Sequence, residues 1–437
     1  MLKRKAMDRL EFWRSHKTKQ ALLVTGARQV GKTYIIREFA QRSYKRFVEF
    51  NMIENTQARE SFAQASNADD LAFRMTLASK EQMVPGETLI FIDEVQECIE
   101  LVTMIKFLVD KGDYDYVLSG SMLGVELENV RSIPVGYLTQ LVMFPLDFEE
   151  FCWANGMPED ALQSVQQAWT EKSPVHGFLH KRLLDIFHLY LLIGGMPDAV
   201  TAYLGSNSIE QVRIAQDDIM AFYEHDISKY APKDRRLVIK NIFELIPSEL
   251  SSQNRRFKLS SIDDVKRFKQ VQDEFLWLVK ANVALAVYNI KAPISPLLLN
   301  ESHSILKLFY SDVGLLASTF PKQSLLGLLD GKPTMNLGAT YESFVAQELT
   351  AHGFSARYFA NKRIGEIDFM VEGKDGRIVA LEVKSGMNYK SHAAISKALE
   401  VPEYEIAEAY VLAETNVEQV GGIVYVPIYM ASCLLNE

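Results

Sequence analysis

The sequence predicts a multidomain α/β chain with a parallel-sheet core, a helical middle and a C-terminal α/β domain. Three observations predict it. Up to about residue 145, buried apolar strands alternate with helical stretches, an order that places parallel strands in one sheet with helices on its faces. From about Phe148 to Tyr230 the apolar spacing becomes helical, as in "HKRLLDIFHLYLLIGGMPDAV". The C-terminal quarter opens with the helix-spaced "GATYESFVAQELTAHG" and continues as strands.

Taken in order, "QALLVTG" (20–26) reads as a buried strand, followed by a helix from Lys32 to about Arg42. Further strands are "KRFVEFN" (45–51), "TLIFID" (88–93) and "YDYVLSG" (114–120). "GGMP" (194–197) breaks the chain direction. Residues 235–320 give short helices, then "ANVALAVYNI", the turn "APISP" and "ILKLFYSDVGLL". Helices followed by a strand pair are the pattern of a winged helix. "LLDGKPTMN" (328–336) has linker composition. The expected domains are 1–150 for the core, 151–230 for a helical connector, 231–325 for a winged-helix-like part and 326–437 for the last. A chain of 437 residues exceeds what one hydrophobic core serves.

Composition narrows the class. Apolar content of 48% with 24% charged residues is that of an ordinary globular chain. A net charge of −9 argues against a surface coated in basic groups for nucleic acid, and leaves room for a local basic patch. Cys98, Cys152 and Cys433 are scattered without metal-ligand spacing, as expected of reduced thiols in a cytoplasmic protein. The charged start "MLKRKAMDRLEFWRSHKTKQ" lacks the apolar centre of a signal peptide. No run approaches the ~18 apolar residues of a membrane span, so no membrane partner is expected.

The first candidate site is "GARQVGKT", residues Gly26, Ala27, Arg28, Gln29, Val30, Gly31, Lys32 and Thr33. It fits G-x-x-x-x-G-K-[ST] and falls between a strand and a helix, where backbone N–H groups and the helix N-terminus can cradle phosphates. Lys32 would reach the β and γ phosphates of ATP, and Thr33 would offer its hydroxyl to Mg2+. "LIFIDE" (89–94) then delivers Asp93 to the metal and Glu94 to the attacking water. The next strand ends in "LSGS", so Ser119 or Ser121 could touch the γ-phosphate. A chance Gly-rich turn would not bring all eight residues into a strand–loop–helix context.

The second candidate site is "GEIDFMVEGKDGRIVALEVKSG" (365–386), which reads as a hairpin. Residues two apart share a strand face, so Glu366 and Asp368 lie together, as do Glu382 and Lys384. One face is apolar and the other gathers Asp368, Glu382 and Lys384. Two carboxylates and a carbonyl can hold a hard divalent ion that activates water, with a lysine to steady developing charge. The same alternation is equally that of a hairpin with a solvated charged face.

"LLVTGARQVGKT", "LIFIDEVQ", "VLSGSM" and "FPLDFEEF" together resemble prokaryotic AAA+ ATPases that carry a C-terminal domain of unknown function. "LIGGMPDAV", "FYEHDISKY", "FYSDVGLL", "GATYESFVAQEL" and "EIDFMV…LEVKSG" extend the resemblance over nearly the whole chain. It implies a P-loop AAA+ core, a winged helix and a restriction-endonuclease-like domain. Asp368 followed by Glu382-x-Lys384 resembles the PD-(D/E)xK pattern, and Glu342 matches the further acid of such nucleases. One departure is Tyr137, where family members usually carry an arginine after a Gly. Its loss would slow hydrolysis unless Arg131, Arg235, Arg236 or a neighbouring subunit substitutes.

The expectation is therefore Mg2+-dependent ATP binding and slow hydrolysis, coupled to a module that binds or cleaves DNA or another nucleic acid, in a chain able to form homo-oligomers. The alternative is an ATP-gated switch or scaffold whose nuclease-like fold is inactive and meets a protein partner. Two lesser features complete the reading. Arg255, Arg256, Lys258, Lys266, Arg267 and Lys269 are either phosphate contacts or a solvated helix balanced by Asp263 and Asp264. His225 between Glu224 and Asp226 reads as structural, since adjacent helical residues face different ways.

Overall fold

Strands β1 (Ala21–Thr25), β2 (Arg46–Asn51), β3 (Thr88–Asp93), β4 (Asp115–Ser119) and β5 (Leu138–Val142) form one sheet in the order β2-β3-β4-β1-β5. Every pairing in it is parallel. The computed structural model describes all residues except 1, 18, 122, 127–135, 253, 263–264, 266, 322–323, 325–326, 328–336, 387 and 435–437. The expected linker, Arg131, Asp263, Asp264 and Lys266 lie outside the described residues. β1 and β3 are buried at every position, as parallel strands covered on both faces require. Helix Glu100–Lys111 shows how the cover is made. It buries Leu101, Val102, Ile105, Leu108 and Val109, a single stripe at helical spacing that packs with Ile90, Ile92 and Leu118.

The chain divides into two compact units. One holds residues 4–144 and 280–282, with the five-stranded sheet; the other holds 1–3, 145–279 and 283–437. The second contains an eight-stranded sheet built from β6 (Ala284–Ile290), β7 (Glu301–Tyr310), β8 (Arg357–Asn361), β9 (Gly365–Glu372), β10 (Ile378–Val383), β11 (Ile406–Ala413), β12 (Glu418–Val420) and β13 (Ile423–Pro427). Its order is β12-β13-β11-β10-β9-β8-β6-β7.

Here the structure joins what the sequence divided. The strand pair expected as a separate wing, β6–β7, docks its first strand parallel to β8, so 231–325 and 326–437 share one sheet. Tyr288, Asn289 and Ile290 supply the backbone bonds that make this junction. Beyond it, helix Gly338–Ala351 leads into β8, β9 and β10 as an antiparallel meander. Helix Ala393–Leu399 then crosses to β11, which runs parallel to β10. The order is helix, three strands, helix, strand.

Two motifs, one from the helical middle and one from the expected winged-helix part, form one interlock. "GGMP" ends helix Gly177–Ile193, and Asp312 of "YSDVG" accepts hydrogen bonds from the N–H groups of Gly195 at 2.6 Å, Gly314 at 2.9 Å and Leu315 at 3.2 Å. A Cβ on Gly194 would lie 2.0 Å from Asp312 Oδ1, so only glycine admits the carboxylate there. Burial raises Asp312 to about 6. Cys98, Cys152 and Cys433 are buried thiols without disulfides. No single described helix is long and apolar enough to cross a membrane.

Candidate nucleotide site and acid cluster

The loop after β1 takes its shape from residues with left-handed backbone. Gly26 has φ +139°, Gln29 +66° and Gly31 +91°, and Gly31 caps helix Lys32–Ser43. Gly26 is also a steric necessity, because a Cβ there would fall 2.2 Å from the Met143 carbonyl oxygen. Arg4 braces the same region from outside the motif. Its guanidinium donates to the Val30 carbonyl at 3.0 Å and to the Phe144 carbonyl at 2.7 Å. The buried Lys32 ammonium donates to the Gly26 and Ala27 carbonyls at 3.0 and 2.7 Å. It is thus held inside the loop that it would leave to meet a phosphate.

Asp93 gathers the rest of the site. Its Oδ2 accepts from Thr33 Oγ1 at 3.0 Å and from Asn51 Nδ2 at 3.3 Å. Its Oδ1 accepts from the Glu94 N–H at 3.1 Å and from the Ser119 hydroxyl. The parallel register explains the convergence: Asn51 pairs with Asp93 across β2–β3, and Ser119 ends β4 next door. Ser119, expected to touch γ-phosphate, is fully buried and spends its hydroxyl on Asp93. Ser121, the other candidate, is buried, and its hydroxyl has no partner among the described residues. Glu94 has left-handed backbone at φ +54°, and its Oε2 accepts from Gln96 Nε2 at 2.5 Å. Thr33 hydroxyl and Asp93 carboxylate, side by side at the strand ends, fit the residues that would hold magnesium.

Tyr137 lies at the other end of the sheet. Its carbonyl accepts from the Ala21 N–H at 2.9 Å, where β1 begins, whereas the phosphate loop follows Thr25. The length of β1 separates them by about 13 Å. The Tyr137 side chain packs on the apolar core instead. Arg235 and Arg236, offered as substitutes, are engaged elsewhere: Arg235 with Glu274 at 2.8 Å, and Arg236 with the Ala231 carbonyl at 2.8 Å.

The C-terminal hairpin forms as expected, with Leu381 opposite Phe369 and Val379 opposite Val371. Its charged face, however, is covered rather than wet. Asp368 is 9% exposed and Glu382 6%. The cover is cationic and comes from outside the hairpin. Lys307 Nζ on β7 lies 3.0 Å from Glu342 Oε2, 2.8 Å from Glu366 Oε1 and 3.7 Å from Asp368 Oδ1. Arg255 pairs with Glu342 Oε1, and Arg256 with Glu366 Oε2 at 2.6 Å. Asp368 Oδ2 accepts from the Val383 N–H at 2.8 Å, and Lys384 Nζ donates to Glu382 Oε1 at 2.7 Å. Of the oxygens on these acids only Glu382 Oε2 has no partner among the described residues. Burial, reinforced by the Asp368 charge, pushes Glu382 up to about 8.

Glu342, Asp368, Glu382 and Lys384 are therefore brought together, and Glu366 joins them as a full member. Arg255 and Arg256 pair with acids of the cluster while staying partly exposed, and the described residues of this stretch include short 3-10 turns at Leu259–Ser261 and Phe268–Gln270. A divalent ion does not fit this arrangement, because the Lys307 ammonium already occupies the point on which Glu342, Glu366 and Asp368 converge. Among the described residues no three His, Cys, Asp or Glu side chains are grouped to hold a metal. A cavity of about 260 Å³ remains beside the cluster, lined by Arg255, Asp368, Glu382, Lys384, Ser385 and Asn388 among others. The sequence carried one overlooked signal, a lone lysine inside the apolar strand "ILKLFY". Asn51 could have been found as the polar end of a strand neighbouring Asp93. Nothing in the charged N-terminal stretch marked Arg4.

Residues 18–152 match the family profile of an AAA domain. Residues 184–326 and 337–430 match the profiles of two domains of unknown function, DUF8612 and DUF4143. No curated protein matches the chain. Similar solved structures include the Walker-type ATPase of Pyrococcus abyssi, 14% identical, covering 73% of this chain and 95% of that one with a TM-score of 0.42. The Aeropyrum pernix ORC1 protein in complex with DNA is 13% identical, over 76% and 93% of the two chains, at 0.27. AMPPCP-bound DnaA from Aquifex aeolicus is 12% identical, over 57% and 73%, at 0.30. The profile match and the five-stranded parallel sheet together give the chain an ATPase-like AAA domain.

Proposed function

We propose that the AAA domain binds ATP with magnesium and hydrolyses it slowly, and that nucleotide state governs a restriction-endonuclease-like module that engages nucleic acid. The observation that carries the ATPase half is the 3.0 Å bond between Thr33 of the phosphate loop and Asp93 at the end of β3. It joins two motifs 60 positions apart at one point beside the loop. Magnesium there would neutralise phosphate charge. The loop N–H groups orient the phosphates, and Lys32 exchanges the Gly26 and Ala27 carbonyls for phosphate oxygens. Glu94 takes the proton of the attacking water after parting from Gln96. The far end of the sheet, where Tyr137 stands, makes a neighbouring subunit the source of any charge-neutralising arginine, so hydrolysis is slow in the isolated chain. Lys32→Ala should abolish binding of a fluorescent ATP analogue. Glu94→Gln should keep binding and lower kcat by about 10²-fold or more. A Lys32→Ala protein that binds ATP as tightly as the wild type overturns the assignment.

Support for the second half is the order helix, three-strand meander, helix, parallel strand, with Asp368, Glu382 and Lys384 on adjacent strands and Glu342 beside them. Fluorescence anisotropy with DNA and RNA over a salt series tests it, affinity falling as salt rises. Salt-independent or absent binding refutes it. A second reading is favoured by one observation, the internal pairing of seven carboxylate oxygens on four acids. In it the module is a switch element or scaffold that does not cut. Varied DNA and RNA left intact with ATP and Mg2+ or Mn2+ support this reading; cleavage lost in Asp368→Ala defeats it.

A further inference from the structure

We infer that Lys307 is the resident cation of the C-terminal acid cluster, standing in charge for the divalent ion that such a fold would otherwise hold. The inference rests on the nuclease-like reading of the C-terminal core and deepens its non-cutting form.

Lysines usually extend their ammonium to water along an apolar stem. Lys307 does the opposite. Its side chain is fully buried between Leu306 and Leu308 on β7, and the ammonium points to three carboxylates, two of them within hydrogen-bond distance. An ammonium buried this completely persists only when carboxylates surround it. The dependence is mutual, because Glu342 is also fully buried, with Lys307 on one oxygen and Arg255 on the other. Tyr358 adds its ring face 5.2 Å from the ammonium.

The consequence is a matter of vacancies. Among the described residues both oxygens of Glu342, both of Glu366, both of Asp368 and one of Glu382 have partners, which leaves one oxygen of eight. Magnesium needs several oxygens at near-octahedral angles. Three of the seven occupied oxygens face Lys307 alone. Removing that one charge frees Glu342 Oε2, Glu366 Oε1 and Asp368 Oδ1 together, and these oxygens converge on the space the ammonium leaves.

The experiment is Mn2+ binding to the nucleotide-free full-length chain, followed by the electron paramagnetic resonance signal of the free ion. Wild type and Asp368→Asn should bind alike, showing no Mn2+ held by the cluster. Lys307→Met, which keeps the volume and the aromatic contact, should bind one Mn2+ per chain more than the wild type does. Lys307→Met with Asp368→Asn should lose it again. Wild-type Mn2+ that disappears in Asp368→Asn overturns the inference, as does a Lys307→Met chain that melts cooperatively and binds nothing new. If Lys307→Met does not fold, the comparison of wild type with Asp368→Asn still decides. Nuclease assays on the same samples separate the two levels. Cutting by the wild type that Asp368→Asn abolishes ends the non-cutting reading, whereas a folded Lys307→Met without Mn2+ ends this inference alone.

Discussion

Replacing Gly26 by alanine tests how rigidly the phosphate loop is set. The added Cβ would lie 2.2 Å from the Met143 carbonyl oxygen and 3.1 Å from its carbon, at a backbone φ of +139°. Neither side can easily yield. Met143 N–H donates to the Thr25 carbonyl at 2.8 Å, and Arg4 ties Phe144 to Val30. A side chain in so restricted a backbone region costs about 1–3 kcal/mol, and overpacking of this kind a further 1–3 kcal/mol. If the middle of that range, about 3–4 kcal/mol, falls on the folded state, Tm drops by roughly 6–16 °C. If the loop shifts instead, stability suffers less and the N–H groups leave their phosphate-binding positions. Scanning calorimetry and titration with a fluorescent ATP analogue read the two outcomes separately. A Gly26→Ala chain with wild-type Tm and wild-type affinity would refute the close approach on which the description of the loop depends.

Three further outcomes follow from the same geometry. Gln96→Ala should release Glu94 and raise kcat up to about 10-fold with nucleotide affinity unchanged, since a hydrogen bond to a charged group is worth about 1.5–3 kcal/mol; phosphate release measures it, and a lower kcat would show that Gln96 holds Glu94 in its working position. Glu382, raised to about 8 in the folded chain, gives stability that is fully present below its unfolded value near 4.5 and is lost as pH rises through about 8. Tm should therefore fall between pH 5 and 9 in the wild type, and the fall should be smaller in Glu382→Gln; parallel profiles would contradict this. Asp312→Ala strands three buried N–H donors and should cost about 3 kcal/mol or more in urea unfolding, and a loss below about 1 kcal/mol would mean that the interlock is not rigid.

The AAA domain was legible because its evidence is local. A parallel strand buried on both faces writes itself as a run such as "TLIFID", and a phosphate loop needs glycines at fixed offsets whatever surrounds it. The expected strands at 20–26, 45–51, 88–93 and 114–120 accordingly appear within a residue or two. Roles within the site were less legible. Ser119 ends β4 and Ser121 lies two residues beyond it, and only the fold decides that Ser119 turns to Asp93. Tyr137 reads as a missing catalytic group because the AAA+ ATPases the chain resembles carry an arginine after that Gly, and sequence order gives neighbours only along the chain. It does not say at which end of a strand a loop arrives.

The acid cluster shows a harder limit. Two-residue alternation assigns each side chain of a hairpin to a face, and it did so correctly for Asp368 and Glu382. Alternation cannot say what covers a face, and that decides the chemistry. Glu342, Lys307 and Arg255 reach the cluster from positions 26, 61 and 113 residues before Asp368. The reach depends on β6 pairing with β8, a contact made by three residues with no distinguishing sequence. Without that junction the four acids would face water and repel one another, and a divalent ion would be the natural remedy. With it, a lysine that looked like a blemish in an apolar strand supplies the charge. Asp368 and Glu382 thus read as a metal site from the hairpin alone and as part of an ion-paired joint from the whole sheet, and the charge of one residue, Lys307, separates the two.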